Sequence, residues 1–170
     1  PFGVFALLSS LIADFAKDGP ASALELFGAL GVYMLTVVLG LAIMIFVGYG
    51  LMVKFLGKMG LGELLSKMKP AQLMAFSTSS SAATLPVTMD CVEKLGVSQE
   101  TRSFVLPLGA TMNMDGTSLY QAVAVVALAQ FHMIDLSIAQ QMIIVGTATL
   151  ASIGAAAIPS AGLVLMMVVL

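Results

Sequence analysis

Asp115 is the residue of this chain best placed to do chemistry. From Ser103 to Gln130 it is the only group charged at neutral pH, and it lies in the run Asn113-Met114-Asp115-Gly116-Thr117. A carboxylate near the centre of a membrane segment costs about 2.5–3.5 kcal/mol on insertion scales unless something compensates it, so such a group marks a functional site by default. Pro107, Gly109 and Gly116 weaken a helix at that depth and free backbone carbonyls. An anion, an amide and free carbonyls in one place describe a hard-cation site. The competing reading is a structural polar network or an ion pair with Arg102, but Arg102 belongs at the membrane edge.

A second polar cluster, Ser77-Thr78-Ser79-Ser80-Ser81, interrupts another apolar stretch. Small hydroxyl residues also let membrane helices approach closely, so packing alone is the competing reading. A five-residue polar run followed by Pro86 favours a binding tip. His132 has no Ser or Asp arranged around it as a general base would need, and it reads as structural or solvated. The lone Cys91 excludes an intrachain disulfide and a cysteine metal site. Most of the 13 methionines are core filler, with Met114 set apart by its neighbours. The sequence contains no phosphate-binding glycine loop, zinc spacing or paired general acid and base, so no enzyme is expected and no organic cofactor.

These residues need elements to hold them in a membrane. The 170 residues are 59% hydrophobic and 9% charged, with a mean hydropathy of +1.06, which is too apolar for a soluble domain. No basic cluster with interleaved aromatics points to nucleic acid, and no signal peptide is visible. The chain opens at Pro1 and stops at Leu170 inside an apolar run, and it is expected to be a piece of a longer protein. Residues 26–53 carry no charge, enough for about 42 Å of helix against a hydrocarbon core of about 30 Å.

The stretch 70–89 has the length of one span, yet Lys67 and Lys69 precede it and Lys94 and Arg102 follow. A single crossing would place one basic flank outside, against the positive-inside bias, so a re-entrant hairpin with the serines at its tip is the better reading. After Asp135 the chain runs 35 residues without charge, too long for one span and interrupted by ASIGAAAIPSAG. This predicts a second hairpin entering from the opposite side. SSSAATLP at 79–86 lies over SIGAAAIP at 152–159 with four identities, the pattern of an inverted repeat. Pro86 and Pro159 each suit an early helical position, which would aim two positive helix ends at the midplane, where carboxylates bind.

The expected fold is an all-α membrane protein, an inverted-repeat transporter with two re-entrant helical hairpins and a broken transmembrane helix. Its expected parts are a helix over 1–13, a transmembrane helix over 22–56, a re-entrant hairpin over 62–96, a broken transmembrane helix over 102–132 and an incomplete second hairpin over 137–170.

Three motifs, NMDGT at 113–117, the serine tip ending in TLPVTM at 84–89, and ASIGAAAIPSAG at 151–162, resemble the glutamate transporter family of dicarboxylate/amino acid:cation symporters. They fall in that family's order and spacing, and the likeness runs from Pro1 to Leu170. The resemblance implies a homotrimer in which a mobile transport domain slides against a fixed scaffold, with this chain forming part of the mobile domain. By the same likeness Ser79, Ser80 and Ser81 hold substrate, Thr117 offers it a hydroxyl, and Ile158, Pro159, Ser160, Ala161 and Gly162 close over it. Sodium ligands would be carbonyls of Gly109, Thr111 and Asn113, the Asn113 amide, the Asp115 carboxylate, and carbonyls of Ser152, Ile153 and Ala155, with the Met114 sulfur nearby. Ala155 and Ala157 stand where relatives often carry Thr or Gly.

The function these expectations describe is symport of an acidic amino acid with sodium across a bilayer, by a multi-pass protein of the cell (inner) membrane. A neutral amino acid or a C4-dicarboxylate, and protons in place of sodium, remain open within the family. An ion channel could use the same broken helix as a filter. An intramembrane hydrolase lacks a buried base near its serines.

Overall fold

The computed structural model describes residues 20–155, together with Ala6, Ser9, Ser10 and Ala13. The chain divides into two compact units, Pro1–Val38 and Leu39–Leu170. Every regular element among the described residues is a helix.

Helix α1 (Pro20–Ile43) opens on a proline, whose fixed φ and missing N–H suit a first helical position. In the first unit Thr36 folds its hydroxyl back onto the Val32 carbonyl (2.8 Å), which satisfies a polar side chain inside an apolar helix. A π-helical turn, Met44–Tyr49, follows α1 and leads into α2 (Gly50–Phe55). The 29 residues Phe27–Phe55 are long and apolar enough to cross a membrane, and none of their most apolar window is buried. Lys54 brings the first charge after the uncharged stretch, and the helix ends within two residues of it.

The second unit continues with α3 (Leu61–Lys67), braced by a Glu63–Lys67 pair one turn apart at 2.8 Å. Helix α4 (Lys69–Thr78) has Pro70 in its first turn, and α5 (Ser81–Glu93) follows after only two residues. The two pack against each other as a helix–turn–helix. Gly96, at φ 87°, closes α5: Gly96 N–H returns to Glu93 O (2.8 Å) and Val97 N–H to Val92 O (3.4 Å), the Schellman pattern. Helix α6 (Gln99–Met112) is capped by Ser98, whose hydroxyl accepts from Thr101 N–H at 3.4 Å. Helix α7 (Asp115–Phe131) continues after a two-residue break. Helix α8 (Ile138–Ile153) starts in a capping box made by Ser137 and Gln140. Helix α5 packs on α6, and α8 packs on α7 and touches α6.

Apart from Val125 and Ile144, the buried residues among those described are small or polar. Ala71, Ala148, Ala155, Cys91, Thr84, Gln121 and Ser152 are buried, while Phe76, Phe104 and Leu150 stand exposed. A water-soluble domain has the opposite distribution. Small residues at helix contacts and large apolar ones outside suit a protein surrounded by lipid.

The proline positions differ from expectation. Helix α5 begins at Ser81, so Pro86 is its sixth residue and lies inside the helix. Ser80 provides the better start, because its hydroxyl can cap the helix and proline has no such group. Likewise α6 runs through Pro107 and Gly109 and stops only at Met112. The expected second hairpin is described through Ala155; Pro159 and the rest of that segment lie outside the described residues.

Candidate functional site

The break between α6 and α7 consists of Asn113 (φ −103°, ψ 68°) and Met114 (φ −106°, ψ 54°). Where α6 stops, the carbonyls of its last turn leave the helical ladder. The Gly109 carbonyl takes Asn113 N–H at 3.0 Å, which leaves those of Ala110, Thr111 and Met112 beyond the last helical bond. The Asn113 side chain is exposed at the break. On the far side, the Met114 carbonyl accepts from Thr117 N–H (3.0 Å) and Ser118 N–H (3.1 Å), which starts α7.

Asp115 is the first residue of α7, where the positive end of the helix favours an anion. Its Oδ2 accepts a hydrogen bond from the Tyr49 hydroxyl, 66 positions earlier in the chain. The Thr117 hydroxyl lies 3.9 Å from the Met114 sulfur, so those two side chains share one spot beside the carboxylate's helix turn. Arg102 pairs with Glu93 at 3.0 Å, which gives the competing Asp115–Arg102 pair no support. The end of α1, just before the turn that carries Tyr49, lies close to α7. A Cβ on Gly40 would lie 3.1 Å from Leu119 Cδ1, and one on Gly116 would lie 3.6 Å from Leu41 Cδ2.

The serine turn is built from local hydrogen bonds. Ser79 takes a left-handed conformation (φ 50°) and its N–H donates to the Ala75 carbonyl at 2.9 Å, ending α4. Ser80 N–H reaches Thr78 Oγ1 (3.3 Å), and Ser80 Oγ accepts from Ala83 N–H (3.2 Å). The buried Thr84 donates its hydroxyl to the Ser80 carbonyl at 2.8 Å. Ser81 is exposed at the first position of α5. The first N–H groups of a helix have no partner within it, and such ends favour anions.

At the end of α8, Ser152 is buried and donates its hydroxyl to Thr149 O at 2.8 Å, while its carbonyl accepts from Ala155 N–H at 3.1 Å. Ile153 is exposed and Ala155 buried. Ile158, Pro159, Ser160, Ala161 and Gly162 lie outside the described residues. Among the described residues no three His, Cys, Asp or Glu side chains come together. The oxygen atoms at the break include one carboxylate, one side-chain amide, main-chain carbonyls and the hydroxyls of Thr111, Thr117 and Tyr49.

The family model of the sodium:dicarboxylate symporters matches residues 1–170, the whole chain. The chain belongs to that family. It is 43% identical to an excitatory amino acid transporter of Caenorhabditis elegans, over all of this chain and 33% of that protein. It is 46% identical to excitatory amino acid transporter 3 of Mus musculus, over 32% of that protein, and 41% identical to excitatory amino acid transporter 1 of Ambystoma tigrinum, over 31%. The chain thus spans about a third of the length of the curated relatives it matches. The family and these relatives are transporters, and the chain is part of an integral membrane protein.

Within this member of the family, Tyr49 is the neighbour of Asp115 that sequence reasoning missed. The signal available was a hydroxyl inside the uncharged stretch 26–53, flanked by Gly48 and Gly50. Tyr33 lies in the same stretch, so that signal alone does not single out Tyr49.

Proposed function

We propose that the full protein is a multi-pass symporter of the cell (inner) membrane that couples sodium entry to uptake of an acidic amino acid. The observation that carries this reading is the interrupted helix, with Asp115 at the start of its second half and Asn113 exposed at the break. Sodium would bind the Asp115 carboxylate, the Asn113 amide and carbonyl, and the carbonyls of Gly109 and Thr111, with Met114 beside them. A second set at Ser152, Ile153 and Ala155 would serve the end of α8. The substrate would lie between the serine turn and Thr117, with a carboxylate on the N–H groups of Ser81 and Ala82 and with 158–162 as its lid.

Coupling follows from shared order. Sodium at the break draws the loose carbonyls into one arrangement, and the substrate binds that arrangement best. Each ligand then raises the affinity of the other by the same factor. The α4–α5 pair acts as a re-entrant hairpin, since both of its flanks are basic. A homotrimer with a sliding transport domain is the assembly this reading carries. The family's description names dicarboxylates, which keeps a C4-dicarboxylate as the second reading; competition of aspartate and succinate for uptake separates the two substrates.

The deciding experiment is Asp115→Asn in the full-length protein, reconstituted in vesicles. Uptake should fall at least tenfold and lose its sodium dependence, while the yield of folded protein stays near that of the parent. A well-folded variant with unchanged sodium dependence would remove the cation assignment.

A further inference from the structure

We infer that Tyr49 is a positioning residue for the cation site, and that the π-helical turn Met44–Tyr49 is what aims its hydroxyl at Asp115. The inference rests on the reading of Asp115 as a sodium ligand and adds a residue that lies 66 positions away from it.

Helix periodicity carries the first half of the argument. Leu41 faces α7, since its Cδ2 lies against Gly116. Tyr49 is eight residues further on, and in an unbroken α-helix eight residues leave two side chains about 80° apart around the axis. Tyr49 would then point beside α7 rather than at it. The turn Met44–Tyr49 is π-helical, and the Gly50 N–H returns to Ile45 O, five residues back. A π-turn takes up one extra residue, so Leu41 and Tyr49 stand as residues seven apart do, about 20° from alignment. Gly40 packs against Leu119 on the same side. The added residue thus brings Tyr49 between the directions of Gly40 and Leu41, the two positions that meet the first turns of α7.

The second half is the carboxylate's own need. Asp115 is half-buried, and a charge-assisted hydrogen bond is a strong support for a carboxylate partly withdrawn from water. The phenol engages one oxygen, Oδ2, and so restrains where the other can point. A cation then meets Oδ1 already oriented and does not have to order the side chain as it binds. Phenylalanine at position 49 would keep the ring and the packing and remove only the donor.

The test uses the full-length protein in vesicles, with Tyr49→Phe, Asp115→Asn and, as a control, Tyr33→Phe. Tyr49→Phe should raise the sodium concentration for half-maximal uptake at least fivefold. Substrate KM at saturating sodium should change less than twofold, as should the yield of folded protein. Tyr33→Phe should behave as the parent in all three. A purely structural role would lower yield or maximal rate and leave the sodium concentration dependence where it was. A half-maximal sodium concentration in Tyr49→Phe that is unchanged or lowered overturns the inference, provided Asp115→Asn has lost sodium dependence. If Asp115→Asn keeps it, the cation reading fails first and the positioning role fails with it.

Discussion

At the scale of single residues, two glycines that look alike in sequence separate by what surrounds them. Gly57 ends the turn after α2, and a Cβ there would come within 2.8 Å of the Val53 carbonyl oxygen, which is backbone and cannot swing aside. Gly62 sits in the first turn of α3 with nothing within 4 Å of the same added atom. Gly57→Ala should therefore destabilise the protein by about 1–2 kcal/mol, the ordinary range for a steric change. Gly62→Ala should leave stability unchanged or raise it by up to about 1 kcal/mol, the helix preference of Ala over Gly. Thermal melts of both variants in detergent check this; a Gly57→Ala melt equal to the parent's would mean that the turn relaxes freely. The site residues follow the same logic. Asp115 and Asn113 stand out in sequence because each is polar where its neighbours are not. Tyr49 does not stand out, because its relevance depends on a partner 66 positions away.

At the scale of elements, the α4–α5 pair turns within Ser79 and Ser80, and the turn depends on a left-handed serine and a hydroxyl cap. The polar run and its place at the tip were legible in sequence, but the start of α5 was not. Pro86 is a strong local signal, yet the helix starts five residues before it because Ser80 supplies an N-cap. Membrane placement of this pair yields a further expectation. Lys67, Lys69, Lys94 and Arg102 should all lie on the cytoplasmic side. Ser80→Cys, in a background lacking Cys91, should then react with an impermeant thiol reagent applied from that side, and substrate should slow the reaction. Labelling only from the opposite side would rule out entry of the hairpin from the cytoplasm.

At the scale of the whole molecule, the chain has the composition of a membrane protein and a third of its relatives' length. Among the described residues most large apolar side chains are exposed and the buried set is mainly small or polar, so much of that surface is suited to lipid or to further protein. Residues 1–170 expressed alone should not support sodium-dependent uptake of aspartate in vesicles, whereas the full-length protein should. Exposed backbone at membrane depth costs several kcal/mol per unsatisfied group, and completing a site costs far less than creating one. Sodium-dependent uptake by the bare segment would show that the transport path lies entirely within these residues.

Class, family and the lone carboxylate of the break are legible in residue order, because composition and local motifs carry them. An apolar chain needs a membrane, and a lone Asp beside an Asn within an apolar span marks a site wherever the helices go. Only the tertiary structure decided which group supports that carboxylate, and it chose Tyr49 over Arg102. It also decided where the helices begin and end near their prolines. The physical reason is the same in both cases. A hydrogen bond between distant residues, and the one-residue shift of a π-turn that aims it, depend on how helices pack, and residue order along the chain carries no direct record of that packing.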